Sequence, residues 1–195
     1  MSVDLSILLV LRDIESAVVG MVRDAQELAA GLAGEGHFEL LALDEHSRDN
    51  TLSLLSILHA QIPALRTLQD LRPGAAIRRG ARLARGRRWL IVDRPVTPEL
   101  MRWALLQMTE HGHPAAVVPG EVLAVDAALG ARALGDLRGG LVSAQREVER
   151  VLQTRGERAA WRPAPNRGVA ERALLFVRGR LSTLGLGQLD RPLGV

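Results

Sequence analysis

Three short apolar runs constrain this chain most. Residues 6–11 (SILLVL), 38–43 (FELLAL) and 89–92 (WLIV) are nearly continuous in Leu, Ile and Val, are bounded by polar residues, and are too short for ordinary helices. Such runs read as strands buried on both faces. Between the first two, Val18, Val22, Ala25, Leu28 and Leu32 recur at helical spacing, with Asp13 placed to cap the helix and Gly34 and Gly36 to stop it. A polar turn over 44–50 leads to a short amphipathic helix at 51–60, ended by Pro63, and to a weaker strand at 65–68. Arg72-Pro73-Gly74 is expected to open a helix running to Arg85, closed by Gly86. Later come a helix from Thr97-Pro98 to about Glu110, a strand at 115–118 with 122–125 beside it, a helix at 141–155, a short strand at 158–161 and a final amphipathic helix at 169–184. Strands alternating with helices predict an α/β, Rossmann-like fold, a mostly parallel sheet with helices on both faces and ligands at the carboxyl ends of its strands.

A length of 195 residues suits one compact domain. The linker-like stretch RPAPN at 162–166 separates a body, 1–162, from a C-terminal helix and tail, 163–195. No Cys occurs, which excludes disulfide scaffolds, cysteine-ligated zinc and thiol nucleophiles. The first residues carry Asp4 and an apolar run only from Ile7 to Leu11, so neither a signal peptide nor a membrane span is indicated and a cytoplasmic location is expected. All 25 basic residues are Arg, and they lie unevenly: residues 1–65 hold three against ten carboxylates, so an acidic first third precedes a basic remainder. Arg suits bidentate phosphate contacts. Aromatics are 3% and are not interleaved with the arginines, so no nucleic-acid partner is expected.

Neither a Walker-type phosphate loop nor a dinucleotide fingerprint is present, and there is no GxSxG elbow. His111 and His113 form an HxH pair that reads better as a helix end than as a metal seed. Three segments beside strand ends carry more. Asp44 and Glu45 follow the second strand and can accept hydrogen bonds from a base or ribose, while Asp49 or Asn50 caps the next helix. Asp93 ends the 89–92 strand on the same rim, as a ligand for a diphosphate-bridging cation or as a turn acid. Arg78, Arg82 and Arg85 fall at i, i+4 and i+7, with Arg79 alongside, on a face that meets phosphates or stays solvated.

In this order, SILLVLRDIES, FELLALDEHSRDNTLSLL and PGAAIRRGARLARGRRWLIVDRP resemble the nucleotide-sugar half of a family-2 glycosyltransferase of the dolichol-phosphate mannosyltransferase-like group. Asp44, Ser47, Asp49 and Thr51 match the family's Asp-Asp-Gly-Ser-x-Asp-x-Thr segment, and Gly74, Ala75, Ala76, Gly80, Ala84 and Gly86 its glycine-alanine helix. The resemblance implies a GT-A-type fold and transfer of a sugar from a nucleotide-diphosphate sugar to an acceptor. It places Asp13 and Glu15 at the nucleotide rim, Asp44 and Glu45 on base or ribose and Asp93 as first acid of the Asp-x-Asp metal motif, with Mg or Mn as cofactor; Arg78, from the arginine face, is the candidate contact to the nucleotide's phosphates.

Departures from the family pattern fall at chemically important positions. Pro95 stands where the second metal acid is expected, and Ala144 and Gln145 where a Glu-Asp pair supplies the general base. Glu147 and Glu149, one helical turn on, read as substitute bases or as solvated helix acids paired with nearby Arg. Two readings follow: a transferase, or a catalytically degenerate glycosyltransferase fold acting as a binding or scaffold module. The apolar stripe Val169, Ala173, Val177, Leu181 and Leu184 suits packing on the domain, a homodimer contact, or peripheral attachment to an anionic membrane, which would favour a lipid-linked acceptor.

Overall fold

The structure is a computed structural model, and it describes residues 2–33 and 37–165. The expected helix at 169–184, nearly all of the 163–195 unit, and the glycines expected to stop the first helix therefore lie outside the described residues.

Seven strands form one sheet: β1 (Leu5–Leu11), β2 (Phe38–Asp44), β3 (Leu65–Leu68), β4 (Arg88–Val92), β5 (Ala115–Val118), β6 (Val122–Asp126) and β7 (Ala160–Trp161), in the order β3-β2-β1-β4-β6-β5-β7. β1, β2, β3 and β4 run parallel, and β6 alone is antiparallel to its neighbours β4 and β5. Every residue of β1 and β2 is buried, because both faces are covered. Leu5, Ile7, Leu9 and Leu11 pack with α1 (Glu15–Ala33), α2 (Thr51–Gln61) and α4 (Pro98–Thr109). Leu8 and Val10 point the other way, to α3 (Ala76–Leu83), α5 (Ala127–Leu134) and α6 (Leu141–Thr154). The period-2 alternation of a strand thus fills two separate cores.

The strands agree with the sequence pattern to within two residues, and three other features differ. Asp13 does not cap α1: it has φ +48° and its carboxylate accepts from the backbone N–H of Arg48. α3 is shorter than expected: Gly74 takes φ +76° in the turn before it, where Glu45 accepts from the N–H groups of Gly74 and Ala76, and the backbone turns extended at Ala84. Arg85 consequently lies past the helix end and leaves the face of Arg78 and Arg82; it turns to Glu39, 3.4 Å from its carboxylate. α5 was not anticipated. It is only eight residues long, and Asp126 caps it by accepting from Leu129 N–H at 2.8 Å.

The glycines of the α3 segment owe their identity to close approach. A Cβ on Gly80 would stand 2.7 Å from Leu8 and Leu43, and one on Gly86 would stand 2.5 Å from the backbone nitrogen of Ser6. Gly86→Ala is therefore expected to destabilise the fold by about 1–3 kcal/mol through overpacking against backbone. Gly20→Ala, in the exposed interior of α1 with nothing within 4 Å, is expected to stabilise by about 0.5–1 kcal/mol. Denaturant midpoints of the two variants check both signs.

Candidate functional site

The parallel register brings the chemistry to one rim. Leu11 pairs with Asp44 and Leu9 with Val92, so Arg12, Asp44-Glu45 and Asp93-Arg94 emerge from three adjacent strands at their carboxyl ends. β5, parallel to β4 across the intervening β6, ends at Val118 on the same rim, and its turn to β6 carries Gly120 and Glu121.

Two loops at this rim are laced together. Asp13 N–H donates to Ser47 Oγ at 3.0 Å while Arg48 N–H donates to Asp13 Oδ1 at 2.7 Å. Glu15 N–H donates to Asp49 Oδ2 at 2.9 Å, and Asn50 returns its backbone N–H and side-chain Nδ2 to the Glu15 carboxylate. Ile14 N–H donates to Thr51 Oγ1 at 3.1 Å. Ser47, Asp49 and Thr51 therefore join the β2–α2 loop to the β1–α1 loop. Burial works to raise the Asp49 pKa, but the Thr51 hydroxyl and the backbone N–H groups of Glu15 and Thr51 prevail and hold it below the ordinary value. Asp49 Oδ1 also accepts from Thr51 N–H at 3.0 Å, whereas the Asn50 side chain makes no cap. Asp13 and Glu15 stand at the rim with carboxylates engaged by the neighbouring loop.

Asp44 and Glu45 are differently placed. Asp44 is fully buried; Oδ2 accepts from Ser47 N–H at 3.2 Å, and Oδ1 has no hydrogen-bond partner among the described residues. An orphaned buried carboxylate oxygen is an acceptor awaiting a donor. Glu45 Oε1 accepts from Gly74 N–H at 2.8 Å and Ala76 N–H at 3.1 Å. Its pKa is raised: burial dominates, opposed by those two N–H groups and the charge of Arg12 and reinforced by the charge of Asp93. Glu45, Arg12 and Asp93 thus share one electrostatic environment.

A metal centre does not fit the residues present. Asp93 Oδ1 accepts from Arg94 Nε at 2.8 Å, so the carboxylate is neutralised by its own neighbour. Pro95 offers no ligand, and no group of three His, Asp or Glu side chains suited to a metal occurs among the described residues, the HxH pair included.

The expected base position is taken up structurally. Ala144 is buried, and Gln145 accepts from Gly120 N–H at 3.0 Å and donates to the carbonyls of Val118 and Val122 at 2.9 and 3.0 Å, stapling the β5–β6 turn. Glu147 is held by Arg150 through two contacts, of 2.6 and 3.0 Å; that hydrogen bonding lowers its pKa, which weakens it as a base. Glu149 is half-buried on the same helix. Glu121, a buried acid on the rim, was not singled out from sequence, because a Gly-Glu pair between apolar runs reads simply as a turn. Arg78 lines an open cleft on the outer side of α3 with Asp70, Leu71, Arg72, Ala75, Arg79 and Arg82.

No protein-family model matches the chain, and no curated protein matches its sequence. Solved structures do share its architecture. A mannosyltransferase from Pyrobaculum calidifontis, PcManGT, in complex with GDP-Man and Mn2+, superposes with a TM-score of 0.69 at 15% identity over 98% of this chain, which spans 66% of that protein. S. aureus TarS 1–349 in complex with UDP gives 0.60 at 13% identity, covering 97% of this chain and 67% of that one. The 4-diphosphocytidyl-2C-methyl-D-erythritol synthase of Anaerococcus prevotii gives 0.60 at 10% identity, covering 91% and 97%. At these identities the likeness is one of fold, and the fold is the GT-A-type α/β architecture of nucleotide-diphospho-sugar transferases.

Proposed function

We propose that this chain binds a nucleotide-diphosphate sugar at the rim formed by β1, β2 and β4 and serves transfer of the sugar to an acceptor. The observation that carries this reading is the convergence of an orphaned buried acceptor, Asp44 Oδ1, with two arginines, Arg12 and Arg94, on three adjacent strand ends. Asp44 receives a donor group of the base, and Glu45 lies beside it. The fold neighbours support the choice of ligand, since PcManGT is described with GDP-Man and TarS with UDP.

In sugar transfer the acceptor oxygen attacks the anomeric carbon, the bond from that carbon to the β-phosphate oxygen breaks, and negative charge grows on the departing diphosphate. Preorganised cations at that position stabilise the transition state. Arg94 is the group that answers this need here, held at the rim by Asp93; Asp93 positions a guanidinium and is not the first acid of a metal pair. Arg12 adds a second positive charge.

A second reading, a donor-binding module without turnover of its own, is favoured by Gln145. An amide cannot take the acceptor proton, and all of its donor and acceptor contacts go to the β5–β6 turn. Glu149 is then the remaining carboxylate of the expected pair for a base role.

Calorimetric titration of UDP, GDP and their sugar conjugates, with and without manganese, tests the first reading. Binding without metal is expected, and Arg94→Gln is expected to weaken it about tenfold, roughly 1.4 kcal/mol. Strict dependence on manganese, or full affinity in Arg94→Gln, would overturn the arginine assignment. Asp44→Asn is expected to change the preference among bases while leaving affinity for the diphosphate portion in place. Release of free sugar or transfer to an added acceptor, lost in Glu149→Gln, separates an enzyme from a binding module.

A further inference from the structure

A cluster of arginines lies beside the rim. The cleft along α3 has a volume of about 370 Å³ and brings four arginines, Arg72, Arg78, Arg79 and Arg82, together with one carboxylate, Asp70. That acid is engaged with His46 Nδ1 at 3.2 Å. Arg82 is anchored by Asp136 at 2.8 Å and the Gly135 carbonyl at 3.0 Å. Arg72, Arg78 and Arg79 have no hydrogen-bond or ion-pair partner among the described residues. Three unpaired guanidiniums on one concave surface repel one another, and an anion with several oxygens relieves that repulsion.

We infer that this cleft is a second phosphate site, beside the rim on the outer side of α3, that takes a ligand bearing a terminal phosphate or diphosphate. One wall is the segment after β3, the edge strand, which leaves the sheet at the same carboxyl end as β2 and is tied to it by Leu71 N–H donating to the Asp44 carbonyl at 2.9 Å. The other wall is the outer side of α3. Glu45 is the partition between rim and cleft: it fixes Gly74 and Ala76 from the rim side, and Arg72 and Ala75, in the same turn, line the cleft.

The test is calorimetric binding of inorganic pyrophosphate to the full chain in an Arg12→Gln, Arg94→Gln background, which removes both rim arginines. One saturable site is expected to remain and to weaken by at least about tenfold when Arg72→Gln and Arg79→Gln are added. Both side chains are exposed and partnerless, so the thermal midpoint should not fall. Loss of all pyrophosphate binding in the Arg12→Gln, Arg94→Gln background alone, or unchanged affinity in the cleft variant, overturns the inference. Titration of UDP and GDP against the cleft variant keeps the two sites distinguishable: unchanged nucleotide affinity is expected, and loss of it would merge the cleft with the rim and overturn a second site. Sedimentation with phosphatidylcholine vesicles doped with phosphatidic acid then identifies the source. Sedimentation lost in the cleft variant supports the inference with a lipid headgroup as ligand, and no sedimentation beside retained pyrophosphate binding supports it with a soluble one.

Discussion

Two glutamates of one segment hold α3 at both ends, and most of the functional geometry depends on that grip. Glu39, near the start of β2, accepts from Ser6 Oγ at 2.8 Å, from Arg66 Nη1 at 2.8 Å and from the backbone N–H of Arg85, just past the helix. Gly86 N–H completes the cluster by donating to Ser6 Oγ at 2.8 Å. At the other end Glu45, one residue beyond β2, accepts from Gly74 and Ala76. A buried carboxylate is tolerated only when its oxygens are satisfied, and here the satisfying donors are the loose N–H groups flanking the helix. The helix is therefore pinned to the sheet by its ends, with Gly80 admitting Leu8 and Leu43 at its middle. Its outer face can then be given over to arginine.

The same demand for satisfied polar groups explains why the chemistry sits at the rim. β1 and β2 are buried on both faces, so a polar side chain inside them must find a partner within the sheet, as Ser6 and Glu39 do. Only past Leu11, Asp44 and Val92 does the chain reach solvent while still fixed by strand pairing. Asp44 is the exception: a buried acid at the last paired position with one oxygen left over. That leftover oxygen is hard to account for by stability and readily accounted for by a ligand.

Much of this was legible in the residues, and what was not has identifiable causes. Apolar runs gave β1, β2 and β4 because a doubly buried strand leaves a continuous hydrophobic signature. The length of α3 was misjudged because Pro-Gly reads as a helix start, while the sequence does not reveal that Glu45 would claim the following N–H groups. The eight residues of α5 are too few to stand out as a helical pattern. Asp13 and Glu15 lie on the β1–α1 loop, and pattern alone could not show that the opposite loop would occupy their oxygens. The identity of Gln145 was informative in the reverse sense: its sequence position suggested a lost base, and its three bonds to the β5–β6 turn show the structural use that an amide serves there.

The charge asymmetry of the chain finds its explanation in these contacts. Carboxylates of the acidic first third, among them Asp13, Glu15, Glu39, Glu45 and Asp49, are spent accepting from backbone N–H groups around the loops and the ends of α3. Many arginines of the remainder stand outside with their charge uncompensated, as Arg72 and Arg79 do. A net charge of +3 is thus a small sum of two unlike populations. Those acids are committed to the loops and helix ends, and many of the cations stand outside. At the rim the same division holds: Pro95 offers no ligand and the Asp93 carboxylate is paired with Arg94. Neutralising a diphosphate by arginine needs no divalent ion to be captured first, and it fits a chain whose carboxylates are already committed elsewhere.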